Sequence, residues 1–289
     1  MRRVSNCRTG RTPPGDNADR SMVGLVSTGK TQQMRRFLIA GNWKMNTVQG
    51  SAESLAGELA AAAASDETGV EVLVCPPSPY LIPVREKLAG SAVRLGAQDV
   101  YFESPGAFTG EICSEMLQDC GCSYVLIGHS ERRAIIGESD QLINSKVKAA
   151  LAAGLTVVLC VGEQLSERES GQTEAVLDRQ MEGGLDGVSE QDAAAVVIAY
   201  EPVWAIGTGV TATPDQAQSA HEHLRNWVAA RYTPEFAATV RILYGGSVKP
   251  DNAESLLGQA DVDGALVGGA SLKGELFIPI IDAARKLAE

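Results

Sequence analysis

The sequence has 289 residues, 44% of them hydrophobic and 5% aromatic, with 25 basic against 36 acidic side chains and a net charge of −11. That composition excludes the disordered and fibrous classes, and the acidic balance argues against a nucleic-acid partner, since phosphate backbones would be repelled. No apolar stretch approaches the roughly 20 residues a membrane helix needs, so no membrane partner is expected.

Residues 1–34 stand apart, with Arg2, Arg3, Arg8, Arg11, Arg20 and Lys30 against Asp16 and Asp19, and a Pro13-Pro14-Gly15 turn. The segment carries +4, which leaves −15 for the remainder. Too little apolar surface is available to offset ordering entropy, so a disordered basic extension is expected, with Met34 as a candidate original start. Arg-rich, acid-poor composition is also weakly compatible with a targeting peptide, whereas a secretory signal would need an apolar core. Gly24-Leu25-Val26-Ser27-Thr28-Gly29-Lys30-Thr31 matches the P-loop pattern letter for letter. A P-loop follows a strand and opens a helix, but polar residues precede this one and Phe37 begins a strand soon after, so nucleotide binding is not expected.

From Phe37 onward, eight short apolar runs alternate with helical patterns: Phe37 to Ala40, Val70 to Val74, Val93 to Gly96, Tyr124 to Ile127, Thr156 to Cys160, Val196 to Tyr200, Val240 to Tyr244 and Gly264 to Val267. This alternation predicts βαβ units and a parallel sheet in one domain over 35–289. A closed (β/α)8 barrel and an open doubly wound sheet both fit, with the barrel preferred. Helices are expected over Glu53 to Ala64 and over Leu142 to Ala153, where Ile143, Val147, Ala150 and Leu151 share a face. A third helix should open at Thr213-Pro214-Asp215-Gln216, with Thr213 as cap, Pro214 in the first helical position and Gln216 closing a capping box. His221 and His223, two apart on that helix, face different directions and cannot chelate one ion; both are expected on the surface. The six cysteines lack regular spacing and read as reduced thiols of a cytoplasmic protein. Cys120 and Cys122 have no second pair nearby, so no metal site is expected.

The residues just after the runs are polar or small: Asn42 and Lys44, Gln98, His129 and Glu131, Glu201, Ser247, and Gly268-Gly269. In either fold the carboxyl ends of the strands are where chemistry sits, so this set reads as a site for a small anion. Glu201 emerges from a buried strand, where desolvation would raise its pKa toward that of a useful base; the plainer reading is a solvated carboxylate. After His129, Ser130-Glu131-Arg132 can open a helical turn whose free N–H groups disfavour an imidazolium, although a packed histidine is the simpler alternative. Asn42 and Lys44, two apart at a strand end, should point to one side, and Lys44 would supply the positive field the whole chain lacks. Gly207, Ser247, Gly268 and Gly269 lie in loops after the sixth to eighth runs, where backbone N–H groups can approach an anion closely.

Five segments carry a family resemblance: Ala40-Gly41-Asn42-Trp43-Lys44-Met45-Asn46, Gly96-Ala97-Gln98-Asp99-Val100, Gly128-His129-Ser130-Glu131-Arg132-Arg133, the stretch from Ala199 to Gly209 around Glu201-Pro202-Val203-Trp204, and Tyr244-Gly245-Gly246-Ser247. All resemble the triosephosphate isomerase family, in its order, over about residues 35–289. The resemblance implies a closed barrel and a cofactor-free, metal-free interconversion of dihydroxyacetone phosphate and D-glyceraldehyde 3-phosphate, as used in glycolysis and gluconeogenesis. It makes Glu201 the base and His129 the uncharged proton donor, as in that family. Asn42 and Lys44 would bind substrate and stabilise charge, Gln98 and Glu131 would support them, and Gly207, Ser247, Gly268 and Gly269 would hold the phosphate. Pro202 to Ala212 would form the lid, with Val210 departing from the family's usual lysine at the second hinge. The loop Tyr101 to Glu111 would carry Thr109 into the neighbouring site of a homodimer, with Cys113 replacing a smaller residue nearby. Other phosphate-binding barrels would need a Schiff-base lysine or a metal-ligand cluster, and a non-catalytic phosphate-binding scaffold would need a catalytic group lost.

Overall fold

The computed structural model describes residues 35–63, 69–207 and 211–289. The basic segment with its P-loop match, and the hinge residue Val210, lie outside these. Among the described residues eight parallel strands close into a barrel in sequence order. They are β1 (Phe37–Asn42), β2 (Val70–Cys75), β3 (Arg94–Ala97), β4 (Tyr124–Ile127), β5 (Thr156–Val161), β6 (Val196–Tyr200), β7 (Ile242–Tyr244) and β8 (Gly264–Val267). Closure comes from β1 pairing with β8, Leu38 opposite Gly264 and Gly41 opposite Val267.

Both faces of the strands are buried. One set of alternate residues, including Leu38, Ala40, Leu73, Leu126, Val158, Ala199 and Leu266, fills the barrel interior. The other set, including Ile39, Val72, Val125, Leu159 and Ile198, packs outward with residues of the surrounding helices such as Leu59, Val147, Leu224 and Phe277. A strand covered on both sides reads as a continuous apolar run. The eight expected runs therefore survive nearly unchanged, except that β3 is shifted by one residue to Arg94–Ala97 and β7 begins at Ile242 rather than Val240.

The helix expected from Glu53 begins earlier, at Gln49, and that expected from Leu142 begins at Asp140 behind the cap Ser139. The helix Pro214–Arg231 opens as its sequence dictates: Thr213 Oγ1 accepts the Gln216 N–H at 3.2 Å, and Gln216 Oε1 accepts the Thr213 N–H at 2.9 Å. On this helix the expectation for the histidines fails. His221 is fully buried between the rings of Tyr200 and Tyr244, with Nδ1 3.1 Å from the Asp261 carbonyl. His223 is only partly exposed and pairs with Asp178 at 2.7 Å. One helix's periodicity cannot say how many neighbours cover its flanks, and here both the barrel wall and a neighbouring helix do.

Candidate active site

The carboxyl ends of the strands bring the expected residues to one mouth of the barrel. Asn42 ends β1, Gln98 follows β3, His129 follows β4 by two residues, Glu201 follows β6 directly, Ser247 lies just past β7 and Gly268 just past β8. A cavity of about 470 Å³ is lined by Asn42, Lys44, His129, Glu201, Gly207, Ser247, Gly268 and Gly269, together with Ile206, Val248 and Leu266. Polar groups converging in a partly apolar cleft of this size are what a small-ligand site requires.

Lys44 reaches the cavity by a different route from the one its spacing suggested. It lies beyond the end of β1 with φ of 51°, in the left-handed region that a side chain enters only under restraint. The restraints are visible. Asn42 Oδ1 accepts the Lys44 N–H at 2.9 Å, and the Gln98 amide donates to the Lys44 carbonyl at 2.8 Å and to the Cys75 carbonyl at 2.9 Å. The Lys44 ammonium in turn pairs with Glu131 at 2.7 Å. Gln98 and Glu131 do not line the cavity; they hold the lysine that does.

Glu201 is 2% exposed and its backbone N–H donates to the Val161 carbonyl at 2.7 Å. Gly162 makes this approach possible, because a Cβ there would overlap the Glu201 carbonyl oxygen. The carboxylate accepts the Ser130 N–H at 2.8 Å and the Ser130 hydroxyl at 3.2 Å, and faces His129 Nε2 at 3.0 Å. The expectation of a raised pKa is overturned. Burial does push it up, but His129, the Ser130 N–H and the Lys44 charge together outweigh burial and hold the carboxyl below its ordinary range.

His129 is 5% exposed, and its Nδ1 accepts the Glu131 N–H at 3.2 Å across the turn that the π-helical segment Arg132–Ile136 continues. An Nδ1 that accepts cannot carry a proton, so the ring's proton resides on Nε2, directed at Glu201. Burial, the largest single cause, lowers the His129 pKa, but the charge and hydrogen bond of Glu201 together with the Glu131 charge outweigh it, and the net direction is upward. The expected depression is therefore not found with Glu201 this close; it requires that the carboxylate move off the ring, leaving burial and the backbone N–H in control.

Gly268 and Gly269 open a short 3-10 turn ending at Leu272, whose leading N–H groups have no partner within the turn. Among the described residues, no atom beyond its chain neighbours lies within 4 Å of where a Gly269 Cβ would stand, so a side chain there would project into the open cavity. Thr109 is exposed and outside this chain's own cavity.

A family model described as triosephosphate isomerase matches residues 37–284. The chain is 54% identical over 248 residues to a triosephosphate isomerase of Carboxydothermus hydrogenoformans, covering 86% of this chain and 98% of that one. It is 54% identical over 249 residues to the one of Herpetosiphon aurantiacus, covering 86% and 99%, and 51% identical over 250 residues to the one of Rhodopirellula baltica, covering 86% and 98%. The chain belongs to the triosephosphate isomerase family.

Membership in the triosephosphate isomerase family accounts for the chain order of the site segments. It leaves three groups that the sequence reading passed over. Ser130 sits between His129 and Glu131, where nothing local marks the two hydrogen bonds it supplies to Glu201. Glu163, two residues past β5, is fully buried and accepts from Tyr200, from Arg168 and from Trp204 of the lid segment, at 3.1, 3.1 and 2.8 Å. Its position after a strand end is the signal that could have found it. Lys146, in the middle of the helix Asp140–Ala152, is 2% exposed, and no local pattern marks it.

Proposed function

We propose that the chain works as a triosephosphate isomerase, interconverting dihydroxyacetone phosphate and D-glyceraldehyde 3-phosphate, with Glu201, His129, Lys44 and Asn42 as its catalytic residues. The observation that carries this reading is the meeting of an ionised carboxylate, an imidazole N–H and an ammonium around one small cavity. Glu201 takes a proton from C1 of the ketose, and the C–H electron pair becomes the C1–C2 double bond of an enediolate. The negative charge on O2 falls to the Nε2–H of His129 and the Lys44 ammonium, which act without reorganising. His129 shuttles the proton between O2 and O1, and Glu201 returns its proton to C2. No electron leaves the substrate, so no redox cofactor enters the balance, and none of these steps calls for a metal.

Gly207, Ser247, Gly268 and Gly269 hold the phosphate through backbone N–H groups in this reading, with Asn42 and Lys44 on the substrate's other side. The lid beginning at Pro202 excludes water, which suppresses loss of phosphate from the enediolate.

The catalytic domain is residues 35–289, and residues 1–34 are an appended basic segment. The protein assembles as a homodimer, with Thr109 entering the neighbouring site. The exposed large apolar side chains support this: Met45, Val48, Ile82, Phe108, Met116, Ile135 and Ile136 all follow the first four strands, and only Leu165 among the described residues lies elsewhere. An apolar face gathered on one side of a barrel is what a partner covers. A cytoplasmic location is supported by the free thiols at Cys75, Cys113, Cys120, Cys122 and Cys160. No helix of the described residues is long and apolar enough to cross a membrane. A non-catalytic phosphate-binding scaffold is not favoured, because each group the reaction needs is present.

The test is an assay with glyceraldehyde 3-phosphate as sole substrate and no added metal or nucleotide. Appearance of dihydroxyacetone phosphate is expected, and its absence with folded protein would overturn the reading.

A further inference from the structure

Deep beside the site, two cations and two carboxylates form a closed ring of alternating charge. Lys146 Nζ lies 2.8 Å from Asp99 Oδ1 and 2.5 Å from Glu138 Oε1; Arg132 reaches Asp99 Oδ2 at 2.8 Å and the same Glu138 oxygen at 2.7 Å. Lys146 and Glu138 are almost wholly buried, and the second Glu138 oxygen is buried with no hydrogen-bond partner among the described residues. Taking two of these charges out of water, with the other two partly exposed, is repaid only by close, fixed geometry, so such a ring is poor as a general stabiliser and good as a rigid joint.

What the ring joins is specific. Asp99 follows Gln98, whose amide holds the Lys44 carbonyl, and Arg132 follows Glu131, whose carboxylate holds the Lys44 ammonium. Two of the three residues that restrain Lys44 thus come from loops after different strands, and each of these two is the chain neighbour of a ring member. Lys44 itself sits in a left-handed conformation that its own backbone does not prefer, so its position depends on those two anchors together with the Asn42 hydrogen bond.

We propose that Lys146 is a positioning residue for the reaction: from a helix outside the cavity, it locks the Asp99 and Arg132 loops together and thereby sets where the Lys44 ammonium stands. The inference rests on the role given to Lys44 above.

A double-mutant cycle on the full-length chain tests it, with kcat and KM for glyceraldehyde 3-phosphate measured in the unsubstituted protein, Lys146→Met, Lys44→Met and the pair. Should Lys146→Met fail to fold, Asp99→Asn/Lys146→Met, which removes one charge of each sign, takes its place on both backgrounds. Circular dichroism establishes that each form is folded. The expected result is a loss of at least about tenfold in kcat/KM with Lys44 present, carried partly by a raised KM, and less than about twofold once Lys44 is methionine. A general loosening of the barrel would cut both backgrounds by the same factor, and that outcome, or an unchanged kcat/KM with Lys44 present, overturns the proposal. If instead Lys44→Met alone leaves turnover intact, it is the role of Lys44 that fails, which separates the two readings.

Discussion

Glu201 and His129 face each other with 3.0 Å between carboxylate oxygen and Nε2, while Ser130 holds the same carboxylate from behind. The base is thus stored against its future partner, and a substrate must come between them. Shortening the carboxylate by one methylene in Glu201→Asp, or replacing the ring in His129→Gln, should lower kcat by about a hundredfold or more, the usual weight of a positioned base or oxyanion donor. Both variants should keep the melting temperature within a few degrees. Turnover at the unsubstituted rate in either purified variant would remove that residue from the mechanism.

The same pairing has a pH signature. His129 is the strongest of the groups that hold Glu201 below its ordinary range, burial acting the other way. A base held low stays ionised further into acid, so the step that Glu201 contributes to the acid limb of kcat/KM should lie below the ordinary carboxyl range. In His129→Gln the opposing burial gains weight, and the limb should move up in pH. A limb that stays put or moves down would show that His129 does not set the base's ionisation.

His221 links acidity to stability instead. Burial drives its pKa from 6.5 down to about 4. The folded chain keeps the ring neutral while the unfolded chain takes up a proton below 6.5, so this contribution is whole above 6.5 and is lost as pH falls toward 4. Urea unfolding at pH 7, 6 and 5 should show the unfolding free energy falling by up to about 1.4 kcal/mol per unit from this group. His221→Asn should flatten that slope; identical slopes in the two proteins would assign the acid sensitivity elsewhere.

Thr47 is a β-branched residue with φ of 75°, in the same loop as Lys44, and its hydroxyl is buried without a hydrogen-bond partner among the described residues. Glycine adopts such a φ without steric cost, although it loses more freedom on folding. Thr47→Gly should therefore raise stability by about 1 kcal/mol or less, read as a higher urea midpoint at unchanged m-value. A lower midpoint would mean that contacts of the threonine outweigh its strain.

Thr213→Ala removes the oxygen that accepts the Gln216 N–H at the start of the longest described helix. The expected cost is about 1 kcal/mol, seen as a lower melting temperature. That cap was legible in four consecutive letters, and so were the strands, because burial on both faces leaves an uninterrupted apolar run. The residues at the strand ends were legible for the same reason: a polar letter closing an apolar run marks where a buried strand comes out. Contacts between distant segments were not. The pKa of Glu201 depends on Ser130 and His129, seventy-odd positions away in the chain, and desolvation alone gave the wrong direction. Lys44 arrived in the expected cavity, but through a left-handed bend that no alternation rule contains. Lys146 looked like any helical lysine until two carboxylates from two loops closed on it.

The pairing of β1 with β8 leaves the cylinder without a first or a last stave. Its terminal helix, Gly274–Ala288, packs against β1 and β2, which places the tail of the chain beside the head of the barrel. Joining the two by a short linker and cutting an exposed turn elsewhere should then give a circularly permuted chain that refolds to the same cylinder. Where the ribosome begins is wiring; the ring of staves has no preference.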